Sequence, residues 1–246
     1  MKKALIGFSG FVGSNILMQD TFDDLYNSKN IKDIEGKNYD IIYCAGVYAA
    51  KWIANSKPEE DLINIVRLIN SLREVNTSKF VLISTVDVYN SPFNVDEDTK
   101  INLFNNHPYG VNRRLFELFI EDNFEDHSII RLPGLFGKGL KKNIIYDFIN
   151  NNQIDKINSE SQFQFYYLKN IVQDINIILN KKIKLINLVT EPIKVKELAS
   201  YCFGVDFYNI KDSGIAKYNV ESKYSEFHKS KVEVLDQIKD FLNSIH

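Results

Sequence analysis

Short apolar segments alternate with segments of helical spacing along the chain. The apolar runs at residues 3–6, 39–46 and 79–84 are short enough to be buried strands. Between and after them, apolar residues recur at helical spacing over residues 58–74 and again over residues 108–120. Strands that alternate with helices in this way predict a parallel, doubly wound α/β sheet.

The first apolar run leads directly into a glycine-rich turn. Gly7, Gly10 and Gly13 follow it, and apolar residues then take up helical spacing over residues 11–17. Such glycines allow a sharp turn, close approach of a pyrophosphate, and tight packing of the helix on the strand. Plain turn glycines are the alternative, but the strand-turn-helix context favours a dinucleotide. The predicted cofactor-binding turn consists of Gly7, Phe8, Ser9, Gly10, Phe11, Val12 and Gly13.

A second short strand is predicted at residues 24–27, and its tip bears on the choice of cofactor. Many NAD-binding proteins place an acidic residue there to hold the ribose hydroxyls. The tip here is Asn27-Ser28-Lys29, which contains no acid. Because a hydroxyl and a cation suit a 2′-phosphate, this tip favours NADP(H) over NAD(H). A solvated turn is the alternative.

Composition excludes several classes of function. The 246 residues suit one domain, or one domain with a small appended lobe, and the net charge of −2 comes without a long basic run. Nucleic acid and anionic membranes are therefore poor partners. The only cysteines, Cys44 and Cys202, form no CxxC pair, so we expect neither a disulfide framework nor a metal site. Without a membrane-spanning apolar run, the expected location is the cytoplasm.

Polar residues gather where the third predicted strand ends and where the helix at residues 108–120 begins. Thr85 and Asp87 follow the strand, at the edge where open α/β sheets bind ligands. A strand-end cap and a solvated loop acid are the alternatives. Tyr109 and Arg113 are four residues apart and share one face of the helix, whose buried face we expect to include Leu115. A surface Tyr/Arg pair is the alternative.

The GxxGxxG spacing of the turn, the Ser-Thr-x-x-Val-Tyr segment at residues 84–89 and the Tyr-x-x-x-Arg pair together resemble one family. It is the NAD-dependent epimerase/dehydratase family, in the extended branch of the short-chain dehydrogenase/reductases. The resemblance implies that Tyr109 is the general acid/base and that Thr85 binds the substrate. It implies that Arg113 replaces the lysine that lowers the tyrosine pKa and holds the nicotinamide ribose. Asp87 stands where sugar-nucleotide dehydratases carry a glutamate base.

The resemblance also supplies further cofactor-binding residues and three departures. The implied cofactor contacts outside the glycine turn and the second strand are Cys44, Ala45, Gly46, Asn64, Ser84, Tyr109, Arg113, Pro133 and Leu135. The departures are Arg113 for the family lysine, Val86 for an acid of some dehydratases, and Phe163 for an arginine that contacts nucleotide phosphates.

The expected organisation is a single Rossmann-type unit over residues 1–246. Its dinucleotide-binding core is expected mainly over residues 1–132 and about 171–190, and its substrate lobe mainly over 133–170 and 191–246. Family members often form homodimers through the helices that correspond to the two predicted here, so a homodimer is expected.

The resemblance implies an NAD(P)-dependent oxidoreductase or epimerase that transfers a hydride on a sugar, expected to be nucleotide-activated. Two alternatives stay open. One is a sugar-nucleotide dehydratase that uses Asp87, and the other is a non-catalytic NAD(P)-binding sensor, which the arginine at position 113 would favour.

Overall fold

The computed structural model describes residues 1–48, 50–210 and 214–245, which form fourteen strands and eight helices. The strands are β1 (Lys3–Ile6), β2 (Asp24–Tyr26), β3 (Asn38–Tyr39), β4 (Ile41–Cys44), β5 (Asn76–Thr77), β6 (Phe80–Thr85), β7 (Phe93–Val95), β8 (His127–Leu132), β9 (Gly134–Phe136), β10 (Gln162–Phe163), β11 (Phe165–Tyr167), β12 (Leu185–Asn187), β13 (Ile193–Lys194) and β14 (Asn219–Val220). The helices are α1 (Phe11–Leu17), α2 (Lys51–Ser56), α3 (Pro58–Leu72), α4 (Pro108–Asn123), α5 (Ile144–Asn150), α6 (Ile171–Asn180), α7 (Val195–Phe203) and α8 (Lys231–Ser244).

The chain divides into two compact units. The first unit comprises Met1–Asn90, Thr99–Arg131 and Asn170–Ile186, and the second comprises Ser91–Asp98, Leu132–Lys169 and Asn187–His246. The sequence-based division placed residues 91–98 in the core, whereas here they cluster with the second unit. The reason is that β7 pairs with β14.

A six-stranded parallel sheet in the order β12-β8-β6-β4-β1-β2 forms the centre of the first unit, which confirms the predicted Rossmann-like α/β fold. Strand β1 lies between β2 and β4, with Ile6 in register with Tyr26 on one side and Cys44 on the other. The chain therefore changes direction across the sheet at β1, and open α/β sheets bind ligands at such a point, beyond the carboxyl ends of the strands.

The helices of the first unit bury faces that partly differ from the predicted ones. Asp61 shares the buried stripe of α3 with Ile65, while Leu62 and Val66 are exposed. On α4 the predicted buried residue Leu115 is exposed, and Glu117 is fully buried instead. Both helices carry more apolar residues than one face can hold, so apolar spacing alone did not identify the buried face.

The second unit consists of two-stranded pairings covered by helices. Strand β9 pairs with β11 in parallel, and β10 pairs with β13 in antiparallel orientation. Phe136, Ile145 and Phe241 belong to the core that α5, α7 and α8 close. Across the described ranges of both units, no helix combines the length and the apolar character needed to cross a bilayer.

A buried carboxylate on α4 connects this helix to two strands of the sheet. Glu117 Oε1 accepts from Ser84 Oγ at 2.6 Å and from Arg131 Nε at 2.9 Å, and its Oε2 accepts from Arg131 Nη2 at 2.7 Å. Arg131 also donates to the Tyr89 hydroxyl at 2.9 Å. These bonds join α4 to β6 and β8, and so fix how the helix lies on the sheet.

Replacing Glu117 by Gln should strongly destabilise the protein, because Arg131 would then keep a buried charge without its partner. Removing one member of a buried ion pair costs about 3–5 kcal/mol in free energy of unfolding. Glu121→Gln is the matched control, because this glutamate binds Arg114 on the same helix but is 29% exposed. Its cost should stay below about 1 kcal/mol. Urea unfolding followed by circular dichroism measures both, and equal losses would contradict the role given to Glu117.

Candidate active site

The glycine turn connects β1 to α1 and packs against the ends of β2 and β4. Gly7 has a φ of +86°, and its N–H donates to the Tyr26 carbonyl at 2.7 Å. A side chain on Gly7 would collide with the Ala45 carbonyl, and one on Gly13 would collide with the carbonyl of Gly7. A Cβ on Gly46 would lie 2.8 Å from Ile6 Cγ2. The backbone therefore excludes a side chain at Gly7 and Gly13, and the Ile6 side chain opposes one at Gly46.

Gly10 is less confined than these three glycines. A Cβ there would meet only the Gly7 carbonyl oxygen, at 3.3 Å, and both Ser9 and Gly10 are exposed. Gly10 precedes Phe11, where α1 begins, so the first backbone N–H groups of the helix have no acceptor within it. This part of the turn has the shape and the donors that a pyrophosphate requires.

The tip of β2 lies beside the glycine turn. Asn27 Nδ2 is 3.5 Å from Ser9 Oγ, and Asn27 Oδ1 accepts from the Lys29 N–H at 2.9 Å. Ser28 and Lys29 are exposed. The residues predicted to bind the adenosine end of the cofactor are thus near the residues predicted to bind its pyrophosphate.

Thr85 and Tyr109 come together at the carboxyl end of β6. The Thr85 side chain is close enough to the buried Tyr109 phenol to lower its pKa, and the Thr85 hydroxyl accepts from the Asp87 N–H at 3.1 Å. The strand-end cap that was the alternative reading of Thr85 is therefore present, and its contact with a substrate stays a prediction. Burial raises the pKa of Tyr109 above its usual 10.0, and Arg113 opposes this rise. The phenol is therefore protonated at neutral pH and can donate a proton.

Arg113 lies against the tyrosine ring. Its guanidinium carbon is 4.0 Å from the centroid of the Tyr109 ring, within the range of a cation–π contact. Nη1 donates to Asp61 and Nη2 donates to the backbone carbonyl of Tyr48. The cation is thus placed to influence Tyr109, as predicted. Its contact with the nicotinamide ribose stays a prediction.

Asp87 pairs with a residue that the sequence did not identify. Lys51 Nζ, at the start of α2, lies 2.7 Å from Asp87 Oδ1. His107, which precedes α4, accepts from the Gly110 N–H at Nδ1 over 3.0 Å. Burial lowers the pKa of His107, Lys51 lowers it further, and Asp87 partly opposes this. A neutral imidazole and an ion pair therefore border the tyrosine.

Other predicted cofactor contacts of the first unit have different surroundings. Burial raises the pKa of the Cys44 thiol to about 12, so this cysteine is not a nucleophile. Ala45 is half-buried directly after it. Asn64 is exposed on α3, with Oδ1 3.5 Å from Arg67 Nη1. The Ser84 hydroxyl is bound to Glu117 rather than exposed to solvent.

The remaining predicted residues lie in the second unit. Pro133 is buried just before β9, and Leu135 is half-buried within that strand. Phe163 stacks on Tyr218 with ring centroids 5.6 Å apart. It therefore packs against an aromatic ring at the position where the family pattern has a charged arginine. Among the residues that the structure describes, no group of His, Cys, Asp and Glu side chains is arranged to hold a metal ion.

Solved structures with the same fold include several sugar-nucleotide enzymes. UDP-N-acetylglucosamine 4-epimerase from Methanobrevibacter ruminantium is 16% identical, with a TM-score of 0.76 and coverage of 98% of this chain and 97% of its own. UDP-glucose 4-epimerase from Thermotoga maritima is 14% identical, with a TM-score of 0.74 and coverage of 99% and 98%. An NAD-dependent NDP-hexosamine 5,6-dehydratase of tunicamycin biosynthesis is 15% identical, with a TM-score of 0.71 and coverage of 90% and 88%.

Identities this low show the fold alone, and a search of curated proteins found no match. A family model provides the stronger comparison. It matches residues 21–184, a range that includes Thr85, Tyr109 and Arg113 but not the glycine turn. Because this match spans more than half of the chain, the protein belongs to the NAD-dependent epimerase/dehydratase family.

Proposed function

We propose that this protein catalyses NAD(P)-dependent hydride transfer on a nucleotide-activated sugar, as an epimerase or a reductase. The observation that carries the proposal is the Arg113 guanidinium on the Tyr109 ring, 4.0 Å from its centroid, with Thr85 close enough to lower the pKa of the phenol. A hydroxyl that orients an oxygen, next to a phenol that exchanges a proton, suits a carbinol or carbonyl substrate.

In this mechanism the protein positions the sugar and moves one proton. Thr85 binds the reacting oxygen, and Tyr109 takes its proton during oxidation or returns one during reduction. The nicotinamide supplies or accepts the hydride. Because burial raises the pKa of Tyr109, the oxidative step should become faster as pH rises and the phenolate fraction grows.

Tyr109→Phe should lower turnover by about 10²–10⁴-fold while cofactor affinity is kept, because it removes the transferable proton and leaves the ring in place. Turnover would be measured with UDP-glucose, UDP-N-acetylglucosamine and related nucleotide sugars. Tyr208→Phe, at an exposed tyrosine of the second unit, is the matched control and should leave turnover unchanged. Unaltered turnover in Tyr109→Phe would exclude the tyrosine mechanism.

Asp87→Asn in the same assays separates the alternatives. Little effect is expected for an epimerase or reductase, since Asp87 is held by Lys51. Complete loss of water elimination would instead indicate a dehydratase. Tight cofactor binding without turnover of any nucleotide sugar would favour a sensor.

The glycine turn and the tip of β2 support a nicotinamide dinucleotide, and we propose a preference for NADP(H). Asn27 stands at the end of β2, where an acid would favour NAD(H). Lys29, two positions later, is exposed and offers a cation to the 2′-phosphate of NADP(H). A charge-assisted contact with the 2′-phosphate is worth about 1–3 kcal/mol, or roughly fivefold to 150-fold in affinity.

Gly10→Val should abolish binding of both cofactors and leave the fold intact, because an added Cβ would meet only the Gly7 carbonyl oxygen, at 3.3 Å, and the side chain would stand where a pyrophosphate has to approach the backbone. Gly214→Val, at a glycine with nothing within 4 Å of an added Cβ, is its control.

Lys29→Ala should weaken the binding of NADPH more than that of NADH, whereas Lys57→Ala should affect the binding of neither. Fluorescence titration measures all four variants. Equal affinity of the wild type for the two cofactors would exclude the preference.

A homodimer is the third part of the proposal. Leu62, Ile63 and Val66 on α3 are exposed, as is Leu115 on α4. These two helices pack against each other within the first unit, so their exposed apolar side chains offer a surface to a second copy of the chain. Light scattering should give the mass of a dimer for the wild type and of a monomer for Ile63→Glu. Met18→Glu, at another exposed apolar side chain, should remain dimeric. A monomeric wild type would exclude this part.

A further inference from the structure

Arg113 is held by a buried acid on a neighbouring helix. The side chains of Arg113 and Asp61 are 5% and 7% exposed, and Nη1 donates to Asp61 Oδ2. The same carboxylate oxygen accepts from Asn112 Nδ2 at 2.8 Å. A buried guanidinium requires a partner of opposite charge, because an unpaired buried charge is strongly unfavourable. Asp61 is therefore the group that allows an arginine at position 113.

The pair also determines how the cation meets the tyrosine. With Nη1 on Asp61 and Nη2 on the Tyr48 carbonyl, the guanidinium is fixed at both ends and its carbon lies 4.0 Å from the centroid of the Tyr109 ring. The Tyr109 N–H donates to Asn55 Oδ1 at 3.0 Å, which anchors the start of α4 to α2. The tyrosine is thus held by the guanidinium on its ring and by Asn55 on its backbone.

We propose that Asp61 is a positioning residue for Tyr109, which fixes the guanidinium on the ring and offsets part of its charge at the phenol. In this respect the phenol contacts one half of an ion pair rather than an uncompensated cation. The consequence for catalysis rests on the proposed function, whereas the effect on ionisation does not.

Several charged groups from the surrounding elements act on the phenol. Arg113 on α4 lowers the pKa of Tyr109, and Asp61 on α3 and Asp87 after β6 raise it, in addition to the larger effect of burial. Lys51 on α2 binds Asp87 and so partly offsets that acid. His107, at the start of α4, is kept neutral by burial and by Lys51.

The two single variants should shift the titration midpoint of Tyr109 in opposite directions. Asp61→Asn leaves Arg113 without its counter-charge, so Tyr109 should ionise at lower pH than in the wild type. Arg113→Met leaves Asp61 without its counter-charge, so Tyr109 should ionise at higher pH. The double variant removes both charges, so its Tyr109 titration midpoint should lie between those of the two single variants.

The midpoint can be measured without substrate or cofactor. The protein would be labelled with 3-fluorotyrosine, which ionises at lower pH than tyrosine, and the Tyr109 resonance among 13 tyrosines would be assigned by its loss in Tyr109→Phe. Fluorine NMR over a pH series then gives the midpoint in each variant. Glu59→Gln is the matched control, because it removes an exposed acid of α3 and should leave the midpoint unchanged.

An unchanged midpoint in Asp61→Asn, or shifts of the same sign in both single variants, would overturn the proposal. If Asp61→Asn does not fold, the double variant should still titrate at lower pH than Arg113→Met, and equal midpoints of these two would also overturn it. In active variants, the pH dependence of kcat should shift in the same direction as the midpoint, by tenfold in phenolate fraction for each pH unit. Midpoints that shift as expected while Tyr109→Phe keeps its turnover would refute the proposed function alone.

Discussion

The buried carboxylate of Glu117 is the interaction on which the candidate site depends. It accepts from Ser84 at the end of β6 and from Arg131 on β8, and it belongs to the helix that carries Tyr109. Tyr109 lies eight residues earlier on that helix, which is about two turns. Bidentate bonds to a buried guanidinium allow little rotation or sliding. The placement of Tyr109 near the end of β6 therefore depends on an ion pair that is remote from the reacting atoms.

Arginine and lysine at position 113 would make different structures. Arginine presents several donors in a planar group, which here bind Asp61 and the Tyr48 carbonyl while the flat face covers the tyrosine ring. A lysine could supply the charge but not these simultaneous contacts. The departure from the family pattern is thus accompanied by a second buried residue, Asp61, that fits it. This coupling explains how the site can keep a cation beside the phenol without the family lysine.

The fold and part of the site were predictable because their signals are local in sequence. Short apolar strands, the glycine turn and the Tyr109–Arg113 spacing each lie within a few residues. Lys51 was not predictable, because it meets Asp87 across 36 positions and nothing near it marks that contact. Asp61 did leave a signal. It occupies the buried stripe of α3 with Ile65, and an acid on such a stripe indicates a buried partner.

The charges around Tyr109 nearly balance, and this determines its state in the free protein. Asp61 is paired with Arg113 and Asp87 with Lys51, so each acid near the phenol has a cation of its own. Burial is then the largest influence on the phenol, and it raises the pKa of Tyr109 above its ordinary value. The tyrosine consequently begins as a proton donor that is shielded from water. Its conversion to a base requires positive charge or hydrogen bonds that this set of residues does not supply by itself, so reactivity depends on what binds beside it.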